Sequence, residues 1–134
     1  MQDIHKTVLI VEDDEIDAII HEMVINSIRF ADNIIKYQSC GDAIGYLRSA
    51  AKGLVIVPEL ILLDLIMPLE NGFEFLKEFE LLPDELKNKT KIVVVTHSID
   101  ERDLLKSREN KNVSYLIEKP LTVEKLELMA EEIV

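Results

Sequence analysis

The chain has 134 residues, 48% hydrophobic and 31% charged, with a formal net charge of -11. That length holds one good hydrophobic core but not two, and the balance is that of a folded chain rather than a disordered one. The excess of acid argues against nucleic-acid phosphates or an anionic membrane as direct partners, since both require clustered Lys and Arg.

The N-terminus, MQDIHKTVLIVEDDE, runs into acids where a signal peptide would carry a long apolar core. Thr7 to Val11 is continuous in β-branched and aliphatic residues, as a strand buried on both faces should be. Glu15 to about Phe30 follows with Ile16, Ile19, Ile20, Met23, Val24 and Ile28 at helical spacing, which predicts a helix with these residues inward. Ile34 to Gln38 is a weaker second strand. Cys40 has no partner for an internal disulfide, fits a reducing compartment, and reads as a small buried hydrophobe. Asp42 to Ala51 is a second helix with Ala43, Ile44 and Leu47 inward. The longest apolar runs, Leu54 to Val57 and Leu60 to Leu63, are split by Pro58 and Glu59 and fall short of the roughly 20 residues that cross a bilayer.

Leu60 to Leu63 is the third strand, and Gly72 to Phe79 a helix carrying Phe73, Phe75, Leu76 and Phe79. LLPDELKNKT reads as a polar loop, signalled by Pro83 and Asn88. Lys91 to Val95 is the fourth strand, Asp100 to about Ser107 a polar helix with Leu104 and Leu105, and Val113 to Ile117 the fifth strand. Thr122 caps a last helix that buries Leu126, Met129, Ala130 and Ile133. Five strands alternating with five helices predict an α/β domain: a parallel sheet, right-handed crossovers and helices on both faces. The expected organisation is a single cytoplasmic domain over 1–134, with no output domain after the last helix.

In such folds ligands bind beyond the carboxyl ends of the strands. The first strand is followed by Glu12, Asp13 and Asp14, the third by Asp64, the fourth by Thr96, and the fifth by Lys119 and Pro120. Converging carboxylates repel one another unless a cation joins them. Hard oxygen ligands suit Mg2+. A carboxylate can attack phosphorus to give an aspartyl phosphate, and Asp64 stands where such a nucleophile would. Mg2+, Lys119 and Thr96 could neutralise the transferring oxygens. Each part also has a plain structural reading: the three acids favour a helix start, Thr96 suits a strand end, and Lys119 could be solvated. Their convergence on one edge favours chemistry.

The stretches VLIVEDD (8–14), DLIMPLENG (64–72), VVVT (93–96) and EKP (118–120) together make the chain resemble a stand-alone response-regulator receiver domain of two-component signalling, of the chemotaxis-receiver kind. The resemblance implies a flavodoxin-like (βα)5 three-layer sandwich with strand order 2-1-3-4-5. It implies Asp64 as phosphoacceptor and Mg2+ held by Asp13, Asp64 and the carbonyl of Ile66, with Glu12 acting through metal-bound water. Thr96 and Lys119 would hold the phosphoryl oxygens, and Lys119-Pro120 would be cis. Asp14 is better placed as a helix cap than as a ligand. The implied partners are a sensor histidine kinase or histidine phosphotransfer protein and a downstream protein, with neither nucleic acid nor membrane bound directly. Added phosphoryl charge would shift Thr96 and the face of the fourth helix, fifth strand and fifth helix.

Two positions depart from the family pattern. Leu116 stands three before Lys119, where an aromatic switch residue is usual; Tyr115, one residue earlier, points to the opposite face of a strand. His97 follows Thr96 where small residues are common, and its bulk is expected to hinder water attack on an acyl phosphate. His5 and His21 lack the surroundings of a phosphotransfer histidine. Two other functions remain open: a Mg2+-dependent aspartyl-phosphate phosphohydrolase and a phosphorylation-independent interaction module. The first is disfavoured by Ile66, which stands where haloacid-dehalogenase-type enzymes carry a second acid, and the second by the presence of Asp64 and Lys119.

Overall fold

The computed structural model describes residues 5–65, 71–97 and 100–133. Strands β1 (His5–Val11), β2 (Ala31–Tyr37), β3 (Leu60–Leu63), β4 (Lys91–Thr96) and β5 (Val113–Glu118) form one sheet. Its order is β2-β1-β3-β4-β5, with every pairing parallel. Between and after them lie α1 (Glu15–Ser27), α2 (Cys40–Ala51), α3 (Gly72–Glu80), α4 (Asp84–Lys89), α5 (Glu101–Glu109) and α6 (Val123–Glu132). This is the expected flavodoxin-like three-layer sandwich, with one more helix than the sequence led us to expect.

The three central strands are apolar without interruption because both of their faces are covered. No residue of Val8–Val11, Leu60–Leu63 or Ile92–Val95 is more than 1% exposed. Alternate residues feed two cores, as the period of a strand requires. Leu9, Val11, Ile61, Leu63, Ile92 and Val94 pack with residues of α2, α3 and α4. Val8, Ile10, Leu60, Leu62, Val93 and Val95 pack with Ile25 of α1 and with Leu126 and Met129 of α6. Leu116 joins the first core and Tyr115 the second, so the two lie on opposite faces of β5.

Side-chain caps start five of these helices. Asp14, Ser39, Asn71, Asp100 and Thr122 accept backbone N–H groups of α1, α2, α3, α5 and α6, each such cap being worth about 1 kcal/mol. Asp14 is thus the cap that its position indicated. The Lys119-Pro120 peptide is cis. No helix among the described residues is long and apolar enough to cross a membrane.

Three expectations are corrected. Helix α1 ends at Ser27 rather than near Phe30, because Arg29 adopts a positive φ of 53° and the Phe30 N–H turns back to the Ile25 carbonyl. Its roll also differs: Ile16, Ile19 and Met23 are 69%, 50% and 64% exposed, while Ala18, His21 and Ile25 face inward. The helix carries two stripes at helical spacing, and the roll that buries Ala18, His21 and Ile25 also lets Asp17 reach Lys119. The polar segment after α3 is the helix α4, in which Leu86 alone is buried. Acids in its first turn and lysines in its last favour it through the peptide dipoles. Helix α5 runs to Glu109, and its buried residue is Ser107, with Leu105 exposed.

His21 is 2% exposed, and its Nδ1 has no hydrogen-bond partner among the described residues. Burial, helped by the nearby Lys119 charge, pushes its pKa from 6.5 down to about 4. Between those values the unfolded chain binds more protons than the fold, so this histidine costs stability as the pH falls through 6.5 toward 4. His21→Leu, which takes up no proton, should therefore gain on the wild type across that window, by up to about 3 kcal/mol. Urea unfolding of both proteins at several pH values measures the margin; a margin independent of pH would count against a neutral buried imidazole.

Candidate functional site

The backbone ladder runs one residue past the strand ends. The Glu12 N–H donates to the Tyr37 carbonyl at 3.0 Å, the Asp64 N–H to Val11 at 3.1 Å, and the Lys119 N–H to Thr96 at 2.9 Å. Side chains that follow β1, β3 and β5 are therefore fixed by main-chain bonds to neighbouring strands. The segment after β5 is held further by Lys125, whose Nζ donates to the carbonyls of Glu118 and Pro120 at 2.8 and 3.0 Å.

The centre of the site is the Lys119 ammonium. It lies 2.7 Å from Asp17 Oδ2, 2.9 Å from Glu12 Oε1 and 3.2 Å from Asp64 Oδ2. Lys119, Glu12, Asp64 and Thr96 are all buried. Burial pushes the Glu12 carboxyl up to about 8, assisted by the Asp64 charge and opposed by Lys119. Burial works against the Lys119 charge as well, yet its close contacts with Asp17 and Glu12 and the charge of Asp64 hold its pKa above the ordinary lysine range. The bond from Lys119 and its charge lower Asp17, against the opposing effect of burial.

Asp13 completes a second feature. Carboxylate oxygens of Glu12, Asp13 and Asp64 lie within 4.8 Å of one another. One ammonium cannot balance this many acids, and the donors are all hard oxygens, the set that Mg2+ prefers. These residues fit a divalent ion. Ile66, whose carbonyl the sequence reading assigns to the same ion, lies outside the described residues, as does the Met67-Pro68 step.

Thr96 ends β4 with its hydroxyl buried and without a hydrogen-bond partner among the described residues. An orphaned buried hydroxyl costs free energy and calls for an explanation. His97, next along the chain, is exposed. Gly72 accounts for the glycine eight residues after Asp64: its N–H donates to Leu65 at 2.8 Å, and a Cβ there would come within 2.7 Å of the Asp64 carbonyl oxygen. Glycine is the residue that lets α3 begin against the backbone of the acid.

The structure thus brings Glu12, Asp13, Asp64 and Lys119 together, with Thr96 bonded through its backbone to Lys119. It also adds Asp17, which sequence reasoning missed. The signal was an acid on a helix otherwise rich in isoleucine, and the exposed isoleucines were mistaken for the inner face.

The comparisons with known proteins agree with this geometry. The model for the response regulator receiver domain matches residues 8–131. The chain is a member of the response-regulator receiver family. A curated relative, the "Probable methanogenesis regulatory protein FilR2" of Methanothrix harundinacea, is 32% identical over 126 residues, 94% of this chain and 79% of that protein. Among solved structures, a two-component response regulator from Cytophaga hutchinsonii superposes with a TM-score of 0.85 at 27% identity, covering 97% of each chain. The phosphorylated cyanobacterial phytochrome response regulator RcpA gives 0.72 at 30% identity, covering 95% of this chain and 90% of that one. The receiver family is a signalling module of two-component systems, and the acidic cluster beside Lys119 fits a Mg2+ site.

Two substitutions separate packing from chemistry. Gly72→Ala should destabilise the receiver by about 1–3 kcal/mol, since the new methyl meets backbone rather than a yielding side chain. Thr96→Val should be neutral or stabilising by about 1 kcal/mol, because it removes an unsatisfied buried hydroxyl. Denaturant unfolding measures both, and a Thr96→Val loss above 2 kcal/mol would mean that the hydroxyl has a structural partner after all.

Proposed function

We propose that Asp64 of this receiver accepts a phosphoryl group from a phosphohistidine of a sensor kinase or histidine phosphotransfer protein, and that the added charge switches a protein-binding face. The observation that carries this reading is the Lys119 ammonium 3.2 Å from Asp64 Oδ2, within a cluster whose carboxylate oxygens crowd to within 4.8 Å. An Asp64 carboxylate oxygen forms the new bond to phosphorus. The donor's P–N bond breaks, and its electron pair stays on the imidazole nitrogen. Asp13, Asp64 and the Ile66 carbonyl, with Glu12 acting through water, would hold a Mg2+ ion, which would supply charge neutralisation for the phosphoryl oxygens.

Lys119 supplies a second positive charge, and the Thr96 hydroxyl, which has no hydrogen-bond partner among the described residues, supplies a donor. The phosphorylated RcpA, 30% identical over nearly the whole chain, supports the same chemistry here. Engagement of Thr96 would be transmitted to α5, β5 and α6, where a downstream protein binds. With Leu116 in the first core and Tyr115 in the second, the switch works without an aromatic three residues before Lys119. The exposed ring of His97 stands next to Thr96 and slows hydrolysis by hindering water.

Incubation with acetyl phosphate and Mg2+, read by intact mass, tests the reading. The wild type should gain one phosphoryl group, and the adduct should be absent in Asp64→Asn and after chelation of the metal. Thr96→Val, folded and stable, should accept the group roughly ten- to hundredfold more slowly, the worth of one hydrogen bond to a charged oxygen. An adduct that persists in Asp64→Asn, or a wild type that takes none, refutes it.

A further inference from the structure

An ammonium has three N–H donors and no more. Lys119 donates two of them, to Asp17 at 2.7 Å and to Asp64 at 3.2 Å, and Glu12 Oε1 lies 2.9 Å away as an ion pair outside hydrogen-bond geometry. A phosphoryl group on Asp64 brings several new acceptor oxygens to the same ammonium, in competition with the partners it already has. Asp64 remains in place, because it carries the group. The Glu12 side chain is 1% exposed and has no water to replace a lost partner. The Asp17 side chain is 26% exposed and sits in the first turn of α1, where water can solvate it on release.

Asp17 also holds the shortest of the three contacts, so its release is not free. It is neither in the family's acidic motif nor among the carboxylates gathered as a metal-binding group.

We propose that Asp17 is a positioning residue that holds the Lys119 ammonium in the resting receiver and surrenders it when Asp64 is phosphorylated, thereby limiting how readily the group is taken up. This rests on the reading of Asp64 as acceptor. The bond changes at phosphorus are those of the transfer itself; the inference adds only the exchange of one ion pair for another. The anchor acts as a brake. Neutralising it removes a competitor for Lys119 and one negative charge from the path of an anionic donor.

The experiment compares wild type, Asp17→Asn, Asp17→Ser and Asp17→Glu in Mg2+, following initial phosphorylation rates by intact mass over a range of acetyl phosphate concentrations. Asp17→Asn and Asp17→Ser should be faster by roughly three- to tenfold below saturation, the scale of a partly exposed ion pair. Asp17→Glu, which restores a carboxylate, should return the rate toward wild type. In metal-free protein, the Lys119 ammonium protons, observed by NMR, should exchange with water faster in Asp17→Asn than in wild type. The same spectra establish that each variant is folded. If the wild type is phosphorylated and Asp17→Asn and Asp17→Ser are no faster, the brake is refuted while the acceptor role stands. If the wild type takes no phosphoryl group, the acceptor reading falls and the brake with it.

Discussion

The arrangement turns on a single buried ammonium. Carboxylates do not gather in a dry pocket unaided, because each ionised acid loses hydration and meets its neighbours' repulsion. Lys119 makes the gathering possible by pairing its charge with three of them at once, from an extra residue at the end of β5 to the ends of β1 and β3 and the start of α1. The compensation is incomplete. Glu12 still has a raised proton affinity, and Asp13 adds a further acid at the rim. A site with charge left over fits a divalent cation.

The parallel sheet makes such a site inexpensive to build. Each strand delivers its final residue to the same edge, and main-chain bonds from Glu12, Asp64 and Lys119 fix the positions before any side chain is considered. Covering both faces of the central strands frees that edge from any part in forming the core. The close approach of Gly72 to the Asp64 carbonyl then ties α3 to the acid, so that packing and site share one backbone contact.

Most of this was legible in the sequence, and the reasons are physical. Apolar runs such as LILL and KIVVV have one sensible place in a domain of this size, and the residue after each is visible by inspection. That is why Asp64, Thr96 and Lys119 could be placed on one edge without coordinates, and why Asp14 and Thr122 could be recognised as caps. What escaped depended on rotation or on marginal length. Helix α1 has apolar residues on both candidate faces, and the observed roll places Asp17 against a residue 102 positions away, a pairing that no local pattern reveals. Helix α4 has one buried leucine, too little for a periodic signal. The same error of rotation hid Asp17 and misplaced three isoleucine and methionine side chains that the fold leaves in water.

The division of the central strands between two cores has a consequence for how such a sequence can drift. Val93 and Val94 are neighbours in the chain but occupy separate compartments with the sheet between them. A change of volume at one is answered from α1 and α6, at the other from α2, α3 and α4, and neither set need notice the other. Ancestors and descendants of this chain could therefore have rebuilt one compartment wholesale while the opposite one stood still. The edge where the carboxylates meet belongs to neither and would pass through both episodes unaltered.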